Sequence, residues 1–540
     1  MESTEVVIVG GGATGAGILW DLSLRGIQAL LLEKRDLANG ATGRCHGLLH
    51  SGGRYVVRDA EAARECASEN RIVKKIAPHC VHDVGGLFVH YRQDDPTFFG
   101  RWKSACQKVG IPSDFLSAEA ALALEPNLPK DILGAFTCPD AHIDVFQLTR
   151  SNLESAIARG AGFRAYSEVT AINFEGGRVR SVTYRDTLSG AEGQIRCEMV
   201  INAAGGWAQQ VAAMAGVDVP VRCDKGSLLV LNHNLVNRVV NRCRSPGDAD
   251  ILVPAGPVCI LGTSSRAVPG PEGLSVTPEE TQYLLDLGAE LIPALAEARV
   301  LRIFSGVRPL FTPKSASGAD GREISRGFAL LDHEQSDQVR GFVSIVGGKV
   351  TTYRLMAEVT CDLIAAKLGV KQPCTTSDVP LRPLLDAQIA LRARKLLPPQ
   401  VAAIAERRLG PNLAQIVDAI EADPAMAEVI CDCEQVTRAE IAYVLGNKAL
   451  APVRTISDIG RRTRLGFGPC QGTFCGYKAM LAGYQSRRWS AQQASDAFER
   501  YLDERWKGQS FVPQGKQIEQ LYLSHDLFGV TYNFHDRKEG

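Results

Sequence analysis

EVVIVGGGATGAGILWDLSLRGIQALLLE, residues 5–33, is the stretch on which the fold turns. Glu5 to Val9 is a short β-rich run that breaks at Gly10-Gly11-Gly12-Ala13-Thr14-Gly15. A helical pattern follows to about Arg25, Gly26 stops it, and a second apolar run, Gln28 to Leu32, ends at Glu33. Strand, glycine turn, helix and strand in this order make a βαβ unit. In Gly10-x-Gly12-x-x-Gly15 the first glycine permits the tight turn, the second lets backbone approach a pyrophosphate, and the third lets the helix pack on the strand. The free N–H groups and dipole at the helix start favour that anion. Glu33, eighteen residues after Gly15, can accept hydrogen bonds from adenosine ribose hydroxyls. The motif predicts a dinucleotide and leaves FAD and NAD open.

Downstream, strand-like and helix-like segments alternate without a repeat. Met199 to Ala204 reads as another buried strand running into Gly205-Gly206. Thr277-Pro278-Glu279-Glu280 reads as a capping box opening a helix with Tyr283, Leu284, Leu287 and Leu291 on its apolar face. The first unit, residues 1–370, closes in the segment Gly347 to Leu368. Prolines 373, 380, 383, 398 and 399 suggest that 371–425 is a linker or irregular connection. A cysteine-containing unit occupies 426–485, and 486–540 is a C-terminal extension.

The chain has 540 residues, 45% hydrophobic and 22% charged, a soluble globular composition. Sixty basic and sixty acidic residues cancel, which argues against nucleic acid as a partner. No secretory signal and no apolar run of about 18 residues is present, so a cytoplasmic location is expected. Of fifteen cysteines, eleven are scattered and are expected to be reduced, buried and inert.

Four further segments carry chemistry. GATGRCHGLLHSGGRY, residues 40–55, sets small residues beside His46, His50, Arg54 and Tyr55, as where backbone packs on a ligand. Ser305-Gly306-Val307-Arg308-Pro309 and Ile324-Ser325-Arg326 each place an arginine beside a turn, suited to phosphate or carboxylate. Gly347-Gly348-Lys349 follows the strand Phe342 to Val346 and lacks the P-loop spacing. Finally, Cys431-x-Cys433 and Cys470-x4-Cys475 lie 36 residues apart; two thiolate pairs brought together can ligate a two-iron cluster or zinc. Arg461, Arg462 and Arg464 before Cys470 would offset the negative charge of such a centre or stand in solvent.

Taken together, the fingerprint, ATGRCHGLLHSGGRY, PDAHIDVFQL (139–148), DADILVP (248–254), GVRP, ISRG and GGKVTTYRLMAE resemble the flavin-dependent glycerol-3-phosphate dehydrogenases over residues 5 to about 365. With its cysteine unit, the chain is similar to the large A-type subunits of the anaerobic respiratory members. The resemblance implies an α/β fold: a Rossmann-like FAD-binding domain with an inserted α+β substrate domain, then a small [2Fe-2S] domain like the bacterioferritin-associated ferredoxins. Those usually end in Cys-x2-Cys, whereas four residues intervene here. It implies FAD held at Gly10, Gly12, Gly15, Glu33, the loop Ala41, Thr42 and Gly43, and at Ala204, Gly205, Gly347 and Gly348. It places Arg54, Arg308 and Arg326 on the substrate, with His50 as first candidate base and Lys349 and Tyr55 as alternatives. Oxidation of sn-glycerol 3-phosphate to dihydroxyacetone phosphate is the implied reaction. Electrons would pass through an iron–sulfur cluster to a quinone, with companion subunits on the inner face of the cytoplasmic membrane and a second flavin (FMN) compatible with the complex. Two rivals stand beside it: a related amino-acid or 2-hydroxy-acid dehydrogenase, and a non-catalytic flavin-bearing electron-transfer protein.

Overall fold

The structure is a computed structural model describing residues 2–232, 234–312, 327–450, 452–510, 512, 516–532 and 534. Its first layer is a six-stranded sheet in the order Gly162–Arg164, Ala29–Leu32, Val6–Val9, Met199–Asn202, Phe342–Gly347, Phe328–Asp332, all parallel except the last pair. Val6–Val9 is apolar throughout because both of its faces are covered. Val6 and Ile8 pack against the helices Ala13–Leu24, Val145–Ile157 and Tyr353–Leu368. Val7 and Val9, pointing the other way as strand alternation requires, pack against Val169, Ile172, Val179, Val182 and Ile195 of a four-stranded sheet and against the helix Ala208–Met214.

A second, mixed sheet supports the opposite wall of the molecule. Its longest strands, Val221–Leu231 and Val300–Phe311, pair antiparallel along nearly their whole length. The helix Pro278–Leu291 packs on it, and its details differ from the expectation. Thr277 caps the Glu280 N–H, but the Glu280 carboxylate turns inward to accept from Lys225 Nζ (2.7 Å) and Ser264 Oγ (2.8 Å). The buried face runs through Thr281, Leu284, Leu285, Gly288 and Leu291, which leaves Tyr283 on the exposed side.

Within 371–425, residues 371–386 carry no helix or strand, but three helices follow, Ala387–Leu396, Pro399–Leu409 and Leu413–Ala422, around Leu397, Val401, Leu409, Leu413, Ile416 and Val417. Two of the five prolines that suggested an irregular connection are accommodated at a helix start: Pro399 is the first residue of its helix and Pro398 its cap. The described residues of the C-terminal extension do not stand apart from the cysteine unit either. Trp489, Phe498 and Tyr501 share one core with Ile430, Cys431, Ile441, Ile459 and Cys475. A small domain has little interior of its own, and the long helix Ala491–Gln509 supplies much of it.

All fifteen cysteines are free, and of the eleven scattered ones only Cys45 and Cys374 are partly exposed. Burial raises the thiols of Cys66, Cys80 and Cys106 to about 12, which keeps them protonated and unreactive. Among the described residues no helix is long and apolar enough to cross a membrane.

Candidate active site

The parallel strands deliver Gly10, Glu33, Ala203 and Gly347 to one edge, and there a cavity of about 670 Å³ opens between the two sheets. The carboxyl edge of a parallel sheet is where strand-to-helix turns leave backbone N–H groups facing a ligand. The opposite wall comes from Gly226, Leu228, Thr263 and Gly306 to Leu310.

Two of the three fingerprint glycines line this space and the third does not. A side chain at Gly12 would meet only Thr42 Oγ1, 3.1 Å away, so this glycine faces the opening. A side chain at Gly15 would collide with the Gly10 carbonyl oxygen; its role is helix-on-strand packing. Gly43 behaves in the same way, closed in by the Ala38 carbonyl and the Phe146 ring, whereas Ala41 and Thr42 line the cavity. Thr42 Oγ1 accepts from the Ala13 N–H at 3.1 Å, which ties that turn to the helix start. Glu33 accepts from the N–H groups of Gly11 (2.7 Å) and Arg35 (2.9 Å). Burial nevertheless raises its pKa, and further donors from a ligand would offset that by favouring the carboxylate form. Ala204, Gly205, Gly347, Gly348 and Lys349 line the same cavity.

His50, Tyr55, Lys349 and Arg54 meet at its other end. The His50 N–H donates to Thr351 Oγ1 at 3.0 Å, and the ring Nε2 lies 3.4 Å from the Tyr55 hydroxyl. Lys349 Nζ stands 4.9 Å from the centre of the Tyr55 ring. Burial, followed by the charges of His46, Lys349 and Arg54, pushes the His50 pKa well below the ordinary histidine value. His46 falls to about 4 through burial and the charges of Arg308 and Arg54. Both imidazoles are therefore neutral near pH 7.

The arginines divide. Arg54 donates to Asp250 Oδ2 (2.9 Å) and the Gly247 carbonyl (3.1 Å), while its buried Nη1 has no partner. Arg308 is more fully committed: its guanidinium binds Asp224, Thr263 Oγ1 at 2.8 Å and the Ser264 carbonyl. It lines the cavity as a fixed charge, with its fork occupied by the fold rather than presented to a ligand. Arg326 lies outside the described residues. The acids that hold these arginines, Asp224 and Asp250, were not among the sequence candidates; the visible signal was a charge inside an apolar strand, as in Val221–Leu231. Arg44, Trp207 and His46 also line the cavity.

In the C-terminal unit the four grouped cysteines come together as a chain of neighbours: Cys475 interacts with Cys431 and Cys470, and Cys470 with Cys433. Contact between thiols holds Cys470 down to about 5 and Cys431 to about 7, with backbone N–H groups of Gly466, Glu434, Gly472 and Phe474 directed at the two sulfurs. Among the described residues no three His, Cys, Asp or Glu side chains form a closed metal-holding set. Soft sulfurs met by backbone donors nevertheless suit a thiolate-ligated centre. The neighbouring arginines neither compensate the thiols directly nor stand in solvent. Arg462 pairs with Asp36 at 2.6 and 2.7 Å, Arg461 with Asp458 at 2.8 Å, and Arg464 with Glu434 at 2.8 Å and Asp144 at 3.1 Å.

Comparison with known proteins agrees with this anatomy. The family model described as FAD dependent oxidoreductase matches residues 5–354. The chain is 40% identical over 550 residues to the A1-type subunit of the anaerobic glycerol-3-phosphate dehydrogenase of Haloferax volcanii, covering 98% of this chain and 91% of that one. It is 40% identical over 522 residues to the A-type subunit of the anaerobic glycerol-3-phosphate dehydrogenase of Escherichia coli K12, covering 96% and 95%. Among solved structures, the glycerol-3-phosphate dehydrogenase of Bacillus halodurans complexed with FAD superposes with a TM-score of 0.72 at 22% identity, over 95% of this chain and 97% of that one.

Proposed function

We propose the following from one premise, that this chain belongs to the FAD dependent oxidoreductase family: it oxidises sn-glycerol 3-phosphate to dihydroxyacetone phosphate. The observation that carries the reading is one cavity in which the dinucleotide fingerprint and the His50, Tyr55, Lys349 and Arg54 group share a common space. The near-full-length likeness to proteins of that name supports the choice of substrate.

FAD would be held by Gly10, Gly12, Glu33, Ala41, Thr42, Ala204, Gly205, Gly347 and Gly348. When bound, it supplies the acceptor for the hydride leaving C2. The chain's own residues do the rest. The unpartnered Nη1 of Arg54 and the Lys349 ammonium bind the phosphate oxygens, with Arg308 adding positive charge from the wall. Neutral His50 takes the proton of the C2 hydroxyl at Nε2, and Tyr55 holds that nitrogen in line. The cavity wall positions C2 and keeps water away.

The thiols of Cys431, Cys433, Cys470 and Cys475 would hold an iron–sulfur cluster, the reading favoured over zinc because a flavin enzyme needs an electron exit. A cluster supplies one-electron steps toward a quinone, reached through companion subunits at the inner face of the membrane.

Two measurements test this. Glycerol 3-phosphate added anaerobically to the yellow protein bleaches its flavin, while a panel of amino acids and 2-hydroxy acids does not; bleaching by a member of that panel alone rejects the substrate. Changing Cys431 and Cys433 to Ser removes iron and acid-labile sulfide, leaves FAD in place and preserves the single-turnover bleaching. Wild-type protein that contains zinc and no sulfide when iron is supplied rejects the cluster.

A further inference from the structure

Three basic side chains bridge the cavity and the cysteine unit, and neither end uses them in the chemistry above. Arg44 closes the turn Ala41–Arg44 and lines the cavity. That turn lies against the strand Val300–Phe311, where a side chain at Gly306 would collide with the Arg44 backbone. Arg302 is on the same strand, and its buried Nε has no hydrogen-bond partner. The helix Ala491–Gln509 also packs on this strand, its Gly508 against Arg302; a side chain there would come within 2.8 Å of that Nε. The turn thus meets the strand at Gly306, and the helix meets it at Arg302.

The helix continues the path. Arg505 is buried, donates to Gln471 Oε1 at 2.9 Å, and lies 4.8 Å from the centre of the Tyr501 ring. Tyr501 packs against Gly472 and Gly476, on either side of Cys475, and feels the charges of both Cys475 and Cys470. Arg302 is placed among the charges of Arg505, Glu504 and Arg44. Among the described residues no carboxylate is within ion-pair distance of Arg44 or Arg302. Glu504, an acid whose charge acts on both, is exposed and lies 3.6 Å from Lys507 Nζ.

Gathering cations without matching anions is costly unless a negative charge arrives. Buried arginines elsewhere in the fold show the usual solution, an acid at contact distance: Arg25 with Asp21, Arg242 with Asp94, Arg354 with Glu69 and Arg462 with Asp36. We propose that Arg44, Arg302 and Arg505 form a cationic bridge between the cofactor cavity and the four-thiol site, stabilising the negative charge that the redox group at each end gains on reduction. The proposal rests on the reading of flavin and cluster given above. In that reading each substrate hydride brings two electrons; they leave singly through the thiol-bound centre, and a quinone-class acceptor takes both with two protons. The bridge residues are positioning residues: they touch neither the reacting carbon nor the departing hydride, and they set how easily each centre is reduced.

The test uses the full chain carrying FAD and iron. Midpoint potentials of both chromophores are measured by mediated spectroelectrochemistry for wild type, Arg302→Met and Arg302→Lys. Arg302→Met is expected to keep both cofactors and to make both centres harder to reduce, each equilibrium shifting on the order of tenfold for the loss of one nearby charge. Arg302→Lys restores most of the shift. Arg44→Met displaces chiefly the flavin and Arg505→Met chiefly the iron centre. A residue that only packs would lower the melting temperature of Arg302→Met and leave both potentials in place, and that result overturns the proposal. Wild type that binds FAD but no iron fails the underlying reading, and the bridge falls with it.

Discussion

The cofactor end and the cysteine end of this chain are held together by different means. The first is a parallel sheet sealed on both faces by two apolar cores. The second has strands of two and three residues, a core completed by a helix from the C-terminal extension, and a seam of ion pairs tying it to the first. At the seam Arg462 spends both Nη groups on Asp36, while in the cavity the Nη1 of Arg54 is left without a partner. The difference separates arginines that fasten from arginines that bind, which residue type alone does not.

The largest effect that would break this comparison lies in the apolar unit. Gly15→Ala sets a methyl against the Gly10 carbonyl, with backbone on the opposing side that cannot move aside. Loss of soluble folded protein is expected. Gly12→Val, which meets only the Thr42 hydroxyl, should fold and fail to retain FAD, read from the cofactor released per chain. A yellow, stable Gly15→Ala would show that the strand and helix are not packed as described.

Next is the seam. Arg462→Ala takes from Asp36, 1% exposed, its two shortest contacts and leaves it only Arg461 at 3.4 Å, and breaking a buried pair costs about 3–5 kcal/mol. Denaturant unfolding should show the cysteine unit separating first, and Arg462→Met combined with Asp36→Asn should recover part of the loss. An Arg462→Ala midpoint equal to wild type would mean that the apolar contacts alone hold the two ends together.

A smaller effect distinguishes Arg54 from Arg308. In Arg54→Ala, Asp250 keeps Arg244 at 2.8 Å, so the fold survives and the lost contact appears in KM for glycerol 3-phosphate. A charged hydrogen bond contributes roughly 1.5–3 kcal/mol, hence about tenfold to a hundredfold in kcat/KM. Arg308→Ala instead strips Asp224, 1% exposed, of its cation and should lower the melting temperature more than it raises KM. The reverse ordering would move the phosphate from Arg54 to Arg308.

The smallest effect is the acid response. His46 has a folded pKa near 4 against an ordinary 6.5, so its contribution to stability is complete above about 6.5 and is lost as pH falls toward 4, where the unfolded chain gains the proton first. The seam behaves differently. Burial works against Asp144, yet Arg464, the Gln147 N–H and His142 together outweigh it and hold its pKa below 3.8, so that contribution persists until pH falls below 3.8. Melting temperature against pH should therefore decline first through the histidines, and His46→Asn should flatten the upper part of the curve. An unchanged curve in that variant would remove His46 from the account.

Much of the cofactor end was legible because its signals are local. Gly10 to Gly15 lie within two turns of backbone, and Glu33 ends the next strand, so spacing along the chain is nearly spacing in the fold. The residues that were not legible answer to distant partners: Arg308 to Asp224, Arg54 to Asp250, Arg462 to Asp36, at separations of 84, 196 and 426 positions along the chain. The prolines of 371–425 misled for a related reason, since a proline at a helix start and one in an irregular turn look alike until the following helices find a shared core.

The amino-acid sequence alone therefore determined the βαβ unit, its dinucleotide turn, the family likeness and the grouping of four cysteines, because each depends on backbone geometry or residue type within short reach. Only the tertiary structure decided which glycines face the cavity, which arginines are bound to acids, and that the helix Ala491–Gln509 belongs to the cysteine unit. Those depend on where two distant charges or surfaces meet and on whether water is excluded there, and neither distance nor burial is written in the spacing of residues along a chain.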